Sequence, residues 1–263
     1  MSFARSWDLP GARPPARRAG LVIGLAQVPL RPLIRAFVRL RIENAHRLEV
    51  AGPMVIAGNH TGPFDALAYG YLLQSSGVPP RFLAKHSLFE VPVLGPLLRR
   101  TRQIPVHRGA GRGGDALAAA ERELSADGSV MVFPEGTYTR DPAGWPMRAR
   151  LGTVRLALRT GAPIVPVACV GSREFWPVGA VFPRLVPRRT IILHVGEPYV
   201  PQPRPGETRH DAETRLTAEL MDTITALIAA LRGDQPPPTP YDPTMDAFRP
   251  EDGMRRPRKE SRR

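Results

Sequence analysis

Short apolar runs alternate with longer segments of helical character between residues 48 and 232, and this alternation limits the fold more than any other feature. The runs at 53–58, 81–84, 129–133, 164–170 and 190–195 have the length of buried strands. The segments at 65–74, 114–126, 154–160 and 212–231 have the pattern of helices. Strands that take turns with helices usually form a parallel sheet covered by helices. The sequence therefore predicts an α/β domain over 48–232, with a central, mostly parallel sheet flanked by helices.

The two flanks of this domain differ from it in composition. Residues 1–47 begin as a basic arm and continue into an apolar segment in which Arg31, Arg35 and Arg39 are four residues apart. On a helix this spacing puts three guanidinium groups on one face, which favours an amphipathic segment lying in the headgroup layer of an anionic membrane. A helix packed on its own domain is the alternative. After residue 232, clustered prolines predict that the charged tail, 233–263, is disordered.

The apolar run at 19–30 is short and is interrupted by Gln27 and Pro29. It falls below the roughly 20 apolar residues that a membrane-spanning helix needs, and no convincing cleavage site for an export signal follows it. We therefore expect peripheral or monotopic attachment to the cytoplasmic face of the cell membrane.

The net charge limits the kinds of partner that the protein is expected to bind. Thirty-seven Lys and Arg against 24 Asp and Glu leave a net charge of +13, which attracts anionic lipid, phosphorylated ligands or nucleic acid. Because no recognised reader module follows the arginine row, we expect no nucleic-acid partner. The single cysteine, Cys169, excludes an intramolecular disulfide and favours the reducing cytoplasm; its apolar neighbours predict a place in the core.

The strongest local signal for chemistry is the segment Asn59-His60-Thr61-Gly62-Pro63-Phe64-Asp65, directly after a predicted strand. A strand that ends at Gly58 delivers His60 to the carboxyl edge of the sheet, where α/β domains place their sites. Asp65 then opens the next helix and can accept the Nδ1 proton of His60, leaving Nε2 free to take a proton from an alcohol. The alternative is a surface turn in which Asp65 only caps the helix.

Three further blocks accompany this segment at the ends of, or within, other predicted strands. They read Gln103-Ile104-Pro105-Val106-His107-Arg108, then Phe133-Pro134-Glu135-Gly136-Thr137, then Ile164-Val165-Pro166-Val167. Taken with Asn59, His60 and Asp65, the four blocks resemble the glycerolipid acyltransferases, typified by bacterial 1-acylglycerol-3-phosphate acyltransferase. The resemblance covers about residues 48 to 200.

This resemblance implies a reaction and a role for each motif residue. It implies transfer of an acyl group from acyl-CoA or acyl carrier protein to the free hydroxyl of 1-acylglycerol-3-phosphate (lysophosphatidic acid), which forms phosphatidic acid without a cofactor or a metal ion. His60 would be the general base and Asp65 would orient it. The residues assigned to the substrate are Asn59, Arg108, Glu135, Gly136, Thr137 and, as a weaker candidate for the phosphate, Arg150. Many family members carry Arg directly after the third-block Thr, whereas this chain has Tyr138 there and Arg140 two residues later.

Other functions stay open from the sequence alone. The acceptor alternatives are glycerol-3-phosphate, a lyso-phospholipid or a glycolipid. A second class is a hydrolase in which His60 and Asp65 activate water or hold a metal. The sequence has no Gly-x-Ser-x-Gly segment, which argues against this class. A third is a non-enzymatic protein that binds anionic lipid or nucleic acid through its charge.

Overall fold

The structure, a computed structural model, describes residues 36–107, 113–126 and 128–245. Its strands are β1 (Val38–Glu43), β2 (Met54–Gly58), β3 (Leu83–Lys85), β4 (Ile104–Val106), β5 (Ser129–Val132), β6 (Ile164–Val170) and β7 (Arg189–Val195). Its α-helices are α1 (Asp65–Ser75), α2 (Leu94–Arg100), α3 (Gly113–Ser125), α4 (Gly152–Thr160), α5 (Ser172–Phe175) and α6 (Arg209–Arg232). Short 3-10 helices lie at Ala45–Leu48, His86–Phe89 and Pro243–Met245.

The central sheet has the strand order β1-β7-β6-β2-β5. Three of its four pairings are parallel and only β6 with β7 is antiparallel, which confirms the predicted α/β class with a mostly parallel sheet. Strands β3 and β4 pair in parallel as a separate ribbon. A parallel bridge between Phe82 and Met131 aligns this ribbon with β5.

These pairings bring many chain segments to one edge of the sheet. The carboxyl ends of β2, β3, β4, β5 and β6 share it, because these strands run in the same direction. The amino ends of β1 and β7 also lie there, because β7 runs against β6 and β1 runs with β7. We call this the carboxyl edge, and it is where open α/β sheets usually bind ligands.

The core forms on both faces of the buried strand β2, since successive side chains of a strand point to opposite faces. Met54 and Ile56 pack in the apolar layer that contains Leu72 and Leu73 of α1. Val55 and Ala57 pack in the opposite layer, together with side chains of α3, α4 and α6. All five residues of β2 are buried, so the segment that follows it starts from a rigid base.

The amino-terminal prediction is corrected where the structure describes it. Ala36 and Phe37 are helical, but Val38–Glu43 is the strand β1. Arg39 therefore does not continue the predicted helical face, and the domain begins before residue 48. Arg31 and Arg35 lie outside the described residues. Within the described ranges, no helix is both long and apolar enough to cross a membrane.

The predicted disordered tail also begins later than residue 233. Tyr241 forms a parallel bridge with Met147, and its carbonyl oxygen accepts a hydrogen bond from Arg148 N at 2.8 Å. Arg148 also pairs with Asp242 at 2.6 Å. The disorder prediction is therefore wrong for 241–245, whereas 246–263 lie outside the described residues.

Candidate active site

The segment after β2 is fastened to the neighbouring strand β6 by Asn59. Its Nδ2 donates to Cys169 O at 2.9 Å, and its Oδ1 accepts from Cys169 N at 2.7 Å and from the Tyr69 hydroxyl at 3.1 Å. The Asn59 side chain is buried and both ends of its amide are used. The Asn59 amide therefore holds the turn that carries His60, and the prediction that Asn59 binds substrate stays a prediction.

Gly58, the last residue of β2, lets Tyr69 reach this fastening. A Cβ atom at Gly58 would lie 2.4 Å from the Tyr69 hydroxyl oxygen and 2.6 Å from Cζ of its ring. No larger residue fits there without moving the ring. Burial raises the pKa of Tyr69 well above its ordinary value, so its hydroxyl stays a hydrogen-bond donor.

His60 and Asp65 lie in direct contact, as the sequence predicts. His60 Nδ1 is 2.9 Å from Asp65 Oδ2. Because an ionised carboxylate only accepts hydrogen bonds, Nδ1 carries the proton and Nε2 is the basic nitrogen. The His60 side chain keeps 15% of its surface exposed, while that of Asp65 is fully buried. In the described part of the chain no hydrogen bond engages Nε2, so the basic nitrogen is available to a substrate.

The Asp65 carboxylate is held in place by the turn itself. Besides His60 Nδ1, its Oδ2 accepts hydrogen bonds from Thr61 N at 2.5 Å and from Gly62 N at 2.8 Å. The four-residue loop between His60 and Asp65 thus supplies the donors that orient the carboxylate toward the imidazole.

Two aromatic rings fix the plane of the His60 imidazole. The ring of Phe133 stacks on it, with centroids 3.8 Å apart and an angle of 8° between planes. The ring of Tyr138 lies tilted at 4.3 Å. Neither residue was assigned a role from its motif, and the position of Tyr138 is the one where many family members carry Arg. A ring held on both sides and by Nδ1 has little freedom to turn Nε2 away from its target.

Glu135 braces the turn from the third block. One carboxylate oxygen accepts from His60 N at 3.0 Å and the other from Met147 N at 3.0 Å. Burial raises the pKa of Glu135 to about 8, although these two main-chain donors oppose the shift. Only 2% of the residue is exposed, and the prediction that Glu135 binds substrate stays a prediction. It joins the His60 turn to the loop 141–150.

Gly136, Thr137 and Arg150 lie together at the outer side of this brace. Gly136 has a left-handed backbone (φ 74°), and a Cβ atom there would lie 3.2 Å from Arg150 Nε, so the arginine covers it. Gly136 N donates to Phe133 O at 2.9 Å, so this main-chain N–H is engaged within the turn. Arg150 is exposed and its main chain is fastened to Pro134 O, so its guanidinium is accessible beside the third block.

Arg108, the predicted phosphate clamp, lies outside the described residues. The strand that leads to it, β4, ends at Val106 on the carboxyl edge. His107, the last described residue before Arg108, stacks on His86 with centroids 3.8 Å apart. The prediction that Arg108 binds phosphate stays a prediction.

Cys169 is buried, as predicted, and burial raises its thiol pKa well above the ordinary value. A protonated, inaccessible thiol is a poor nucleophile. Among the described residues no three His, Cys, Asp or Glu side chains are grouped so as to hold a metal ion.

The geometry defines a class of site. A carboxylate-oriented imidazole, with one basic nitrogen facing outward at the carboxyl edge, is suited to take a proton from a bound hydroxyl or water.

The chain belongs to the Acyltransferase family, whose profile matches residues 39–170. It is 30% identical over 129 residues to a chloroplastic 1-acyl-sn-glycerol-3-phosphate acyltransferase of Brassica napus, covering 49% of this chain and 36% of that protein. It is 28% identical over 148 residues to the 1-acyl-sn-glycerol-3-phosphate acyltransferase of Borreliella burgdorferi, covering 56% of this chain and 57% of that protein. The matched segment thus spans about a third to somewhat over half of these relatives.

A solved structure shares the fold. The 1-acyl-sn-glycerophosphate acyltransferase PlsC of Thermotoga maritima superposes with a TM-score of 0.62 at 19% sequence identity, over 82% of this chain and 81% of that one.

Proposed function

We propose that this acyltransferase moves an acyl group from acyl-CoA or acyl carrier protein to the free hydroxyl of 1-acylglycerol-3-phosphate, forming phosphatidic acid for phospholipid synthesis. The observation that carries the proposal is the 2.9 Å contact of His60 Nδ1 with buried Asp65, which leaves Nε2 open at the carboxyl edge. The names of the Brassica napus and Borreliella burgdorferi relatives support the choice of acceptor.

In the proposed reaction His60 Nε2 removes the proton of the acceptor hydroxyl while its oxygen attacks the thioester carbonyl carbon. The resulting tetrahedral oxyanion collapses, the carbon–sulfur bond breaks, and the thiolate takes the proton from the imidazolium. Asp65 stabilises the imidazolium between these two steps. The nucleophile is the acceptor itself, so the reaction needs neither a covalent acyl-enzyme nor a cofactor.

The acceptor's phosphate requires cationic contacts near this nitrogen. We assign them to Arg108 and Arg150, whose planar guanidinium groups match a phosphate in two-point contact. Arg150 is exposed beside Gly136 and Thr137, which line the same edge. The partners implied are therefore lysophosphatidic acid, the acyl thioester and an anionic membrane surface, met at the cytoplasmic face of the cell membrane.

The test is to incubate the purified full-length protein with labelled acyl-CoA and, separately, with lysophosphatidic acid, glycerol-3-phosphate, a lyso-phospholipid and a glycolipid. The proposal expects labelled phosphatidic acid as the main product. If another acceptor is acylated preferentially, the acceptor assignment fails while the reaction type stands. Release of free fatty acid in every mixture would instead identify a hydrolase.

A matched pair of variants tests the phosphate contact. Arg150→Ala should raise KM for the acceptor, because one guanidinium contact to its phosphate is lost. Arg148→Ala, two residues away and paired with Asp242, removes the same charge from a residue directed to the tail. Equal KM values for the two variants would contradict the role of Arg150.

A further inference from the structure

Exposed apolar side chains are concentrated in the segment 177–188, which connects α5 to β7 and which we call the β6–β7 loop. Phe182 is 79% exposed, Val181 78% and Val186 86%. Val178 and Leu185 are exposed as well. Single exposed apolar residues are common on protein surfaces, but a contiguous set of large ones marks a surface that binds something.

The loop lies beside the catalytic turn. It begins after Trp176, whose carbonyl oxygen would lie 2.8 Å from a Cβ atom at Gly62, so the two main chains are in close contact. At its other end Arg188 donates to Val38 O at 3.1 Å, at the start of β1. The loop therefore occupies the carboxyl edge between the His60 turn and the first strand of the domain.

The loop is held in shape by its own hydrogen bonds. Trp176 Nε1 donates to Ala180 O at 3.0 Å, and Arg184 N donates to Phe175 O at 2.7 Å. Ala180 N also donates to Pro177 O at 3.1 Å. These hydrogen bonds hold the main chain of the loop in one conformation, in which the apolar side chains are exposed.

The charges around the loop have one sign. No acidic residue occurs between Glu174 and Glu197, whereas this stretch contains Arg184, Arg188 and Arg189. Apolar side chains with arginines nearby in the sequence complement a bilayer that has a hydrocarbon interior and anionic headgroups. A second protein chain with a matching apolar face would not by itself require this excess of positive charge.

A second apolar projection stands on the other side of the site. Leu88, Val91, Val93 and Leu97 are exposed in the connection that leaves β3 at the carboxyl edge. Val93 is 84% exposed and has a backbone φ of 68°, a conformation that is strained for a β-branched residue. In the sheet order β7-β6-β2-β5, extended by β3 through its bridge to β5, His60 lies between the two projections.

We propose that the β6–β7 loop inserts into the boundary between headgroups and acyl chains of an anionic bilayer, with Val93 and its neighbours as a second contact. The two contacts seat the His60 turn against the lipid surface, where a lipid acceptor is presented. The inference rests on the proposed function for the lipid nature of the acceptor. The inference identifies a part of the folded domain that contacts the membrane, in addition to the predicted amino-terminal segment.

The first test measures binding to vesicles, which does not depend on turnover. The full-length double variant Val181→Asp, Phe182→Asp is compared with Thr214→Asp, Ala218→Asp, which adds the same charge to exposed positions of α6. Binding to phosphatidylcholine–phosphatidylglycerol vesicles should weaken at least about tenfold for the loop variant, because apolar insertion is lost and repulsion is added. The control should bind as the wild type does. Equal losses in the two variants would overturn the proposal.

The second test reads insertion directly and does not rely on a disruptive variant. Because the only native cysteine, Cys169, is buried, a Phe182→Cys variant can be labelled selectively with an environment-sensitive fluorophore, with Thr214→Cys as the control. Anionic vesicles should shift the emission of the probe at 182 to the blue, and brominated lipid should quench it, while the probe at 214 stays unchanged. An unchanged spectrum at 182 would refute insertion. A shift that depends on protein concentration without vesicles would identify a second copy of the chain as the occupant instead.

The same labelled protein carrying His60→Ala separates this inference from the proposed function. The inference expects the emission shift to persist when acyl transfer is lost. If transfer to lysophosphatidic acid fails in the native protein but the shift is present, only the proposed acceptor is wrong.

Discussion

Replacing Asp65 by Asn isolates the effect of its negative charge. All three good hydrogen bonds to this carboxylate, from His60 Nδ1, Thr61 N and Gly62 N, converge on Oδ2. An amide oxygen in that position accepts all of them, and the amide nitrogen then faces the Thr61 hydroxyl, 3.4 Å from Oδ1, and the Cys169 sulfur, 3.8 Å from it. The reverse orientation would put two main-chain N–H groups against an NH₂ group. Asp65→Asn therefore keeps the fold and the His60 tautomer and removes only the charge.

The size of the effect follows from the distance. With Nδ1 and Oδ2 at 2.9 Å, the charge centres of imidazolium and carboxylate are about 4 Å apart, and at an effective dielectric constant of about 20 their attraction is about 4 kcal/mol. Since about 1.4 kcal/mol corresponds to a factor of ten in rate, kcat should fall about a thousandfold. The free energy of unfolding should change by less than about 1 kcal/mol, because the three short hydrogen bonds to Oδ2 are kept and only the long contacts of Oδ1 with Thr61 Oγ1 and Cys169 Sγ are changed.

The assay is steady-state acyl transfer by the purified full-length protein at saturating thioester and acceptor, alongside urea unfolding. Asp141→Asn is the matched control, because Asp141 Oδ1 also accepts two main-chain hydrogen bonds, from Ala143 N at 2.9 Å and Trp145 N at 3.0 Å, away from the imidazole. It should keep wild-type kcat. If Asp65→Asn retained more than about a tenth of wild-type kcat, stabilisation of the imidazolium by Asp65 would be refuted.

Three further changes test the supports of the site. Asn59→Ala leaves the buried N–H and C=O of Cys169 without their side-chain partner and should lower the free energy of unfolding, measured in urea, by about 2–5 kcal/mol. A change below about 1 kcal/mol would contradict the role of Asn59 in holding the turn to β6. Glu135→Gln should remove a pH dependence of the free energy of unfolding. Because the folded protein raises the pKa of Glu135 to about 8, the native protein should lose stability relative to the variant as pH rises from about 5 to 8, by at most about 1.4 kcal/mol per pH unit. Parallel stability curves would show that Glu135 does not titrate there. Gly58→Ala should lower the melting temperature, since its Cβ would meet Tyr69 at 2.4 Å, and an unaltered melting curve would show that the ring can move.

The apolar pattern predicted the centre of the fold well. The runs at 53–58 and 164–170 are the buried central strands β2 and β6, where periodicity is a strong signal because both faces are covered. The contact of His60 with Asp65 was predictable for the same reason. A strand end followed by a short turn restricts where two side chains five residues apart can lie.

The edge strand β1 was predicted as part of a helix because its segment carries both a helical and a strand-like spacing of residues. The four-residue spacing of the arginines suggested a helix, while Val38, Leu40 and Ile42 alternate with polar residues at the period of a strand. Pairing with β7, far away in the sequence, decides between them. Strands β3 and β4 have three residues each, which is too short for an alternating pattern to identify them as strands.

The contacts that hold the His60 turn could not be predicted from the sequence, because the partners are distant in sequence. Asn59 bonds to a residue 110 positions away, and Glu135 to the main chain of His60, 75 positions away. A polar residue in a motif looks the same from the sequence whether it binds a ligand or fastens a loop. Only the three-dimensional contacts separate the two roles.

Whether the imidazole of His60 takes the proton of the acceptor hydroxyl is decided by kcat of His60→Ala for acyl transfer, with vesicle binding and urea unfolding measured as controls. We expect kcat to fall by about a hundredfold to ten-thousandfold while vesicle binding and the free energy of unfolding stay unchanged. Transfer by His60→Ala at the wild-type rate would contradict it.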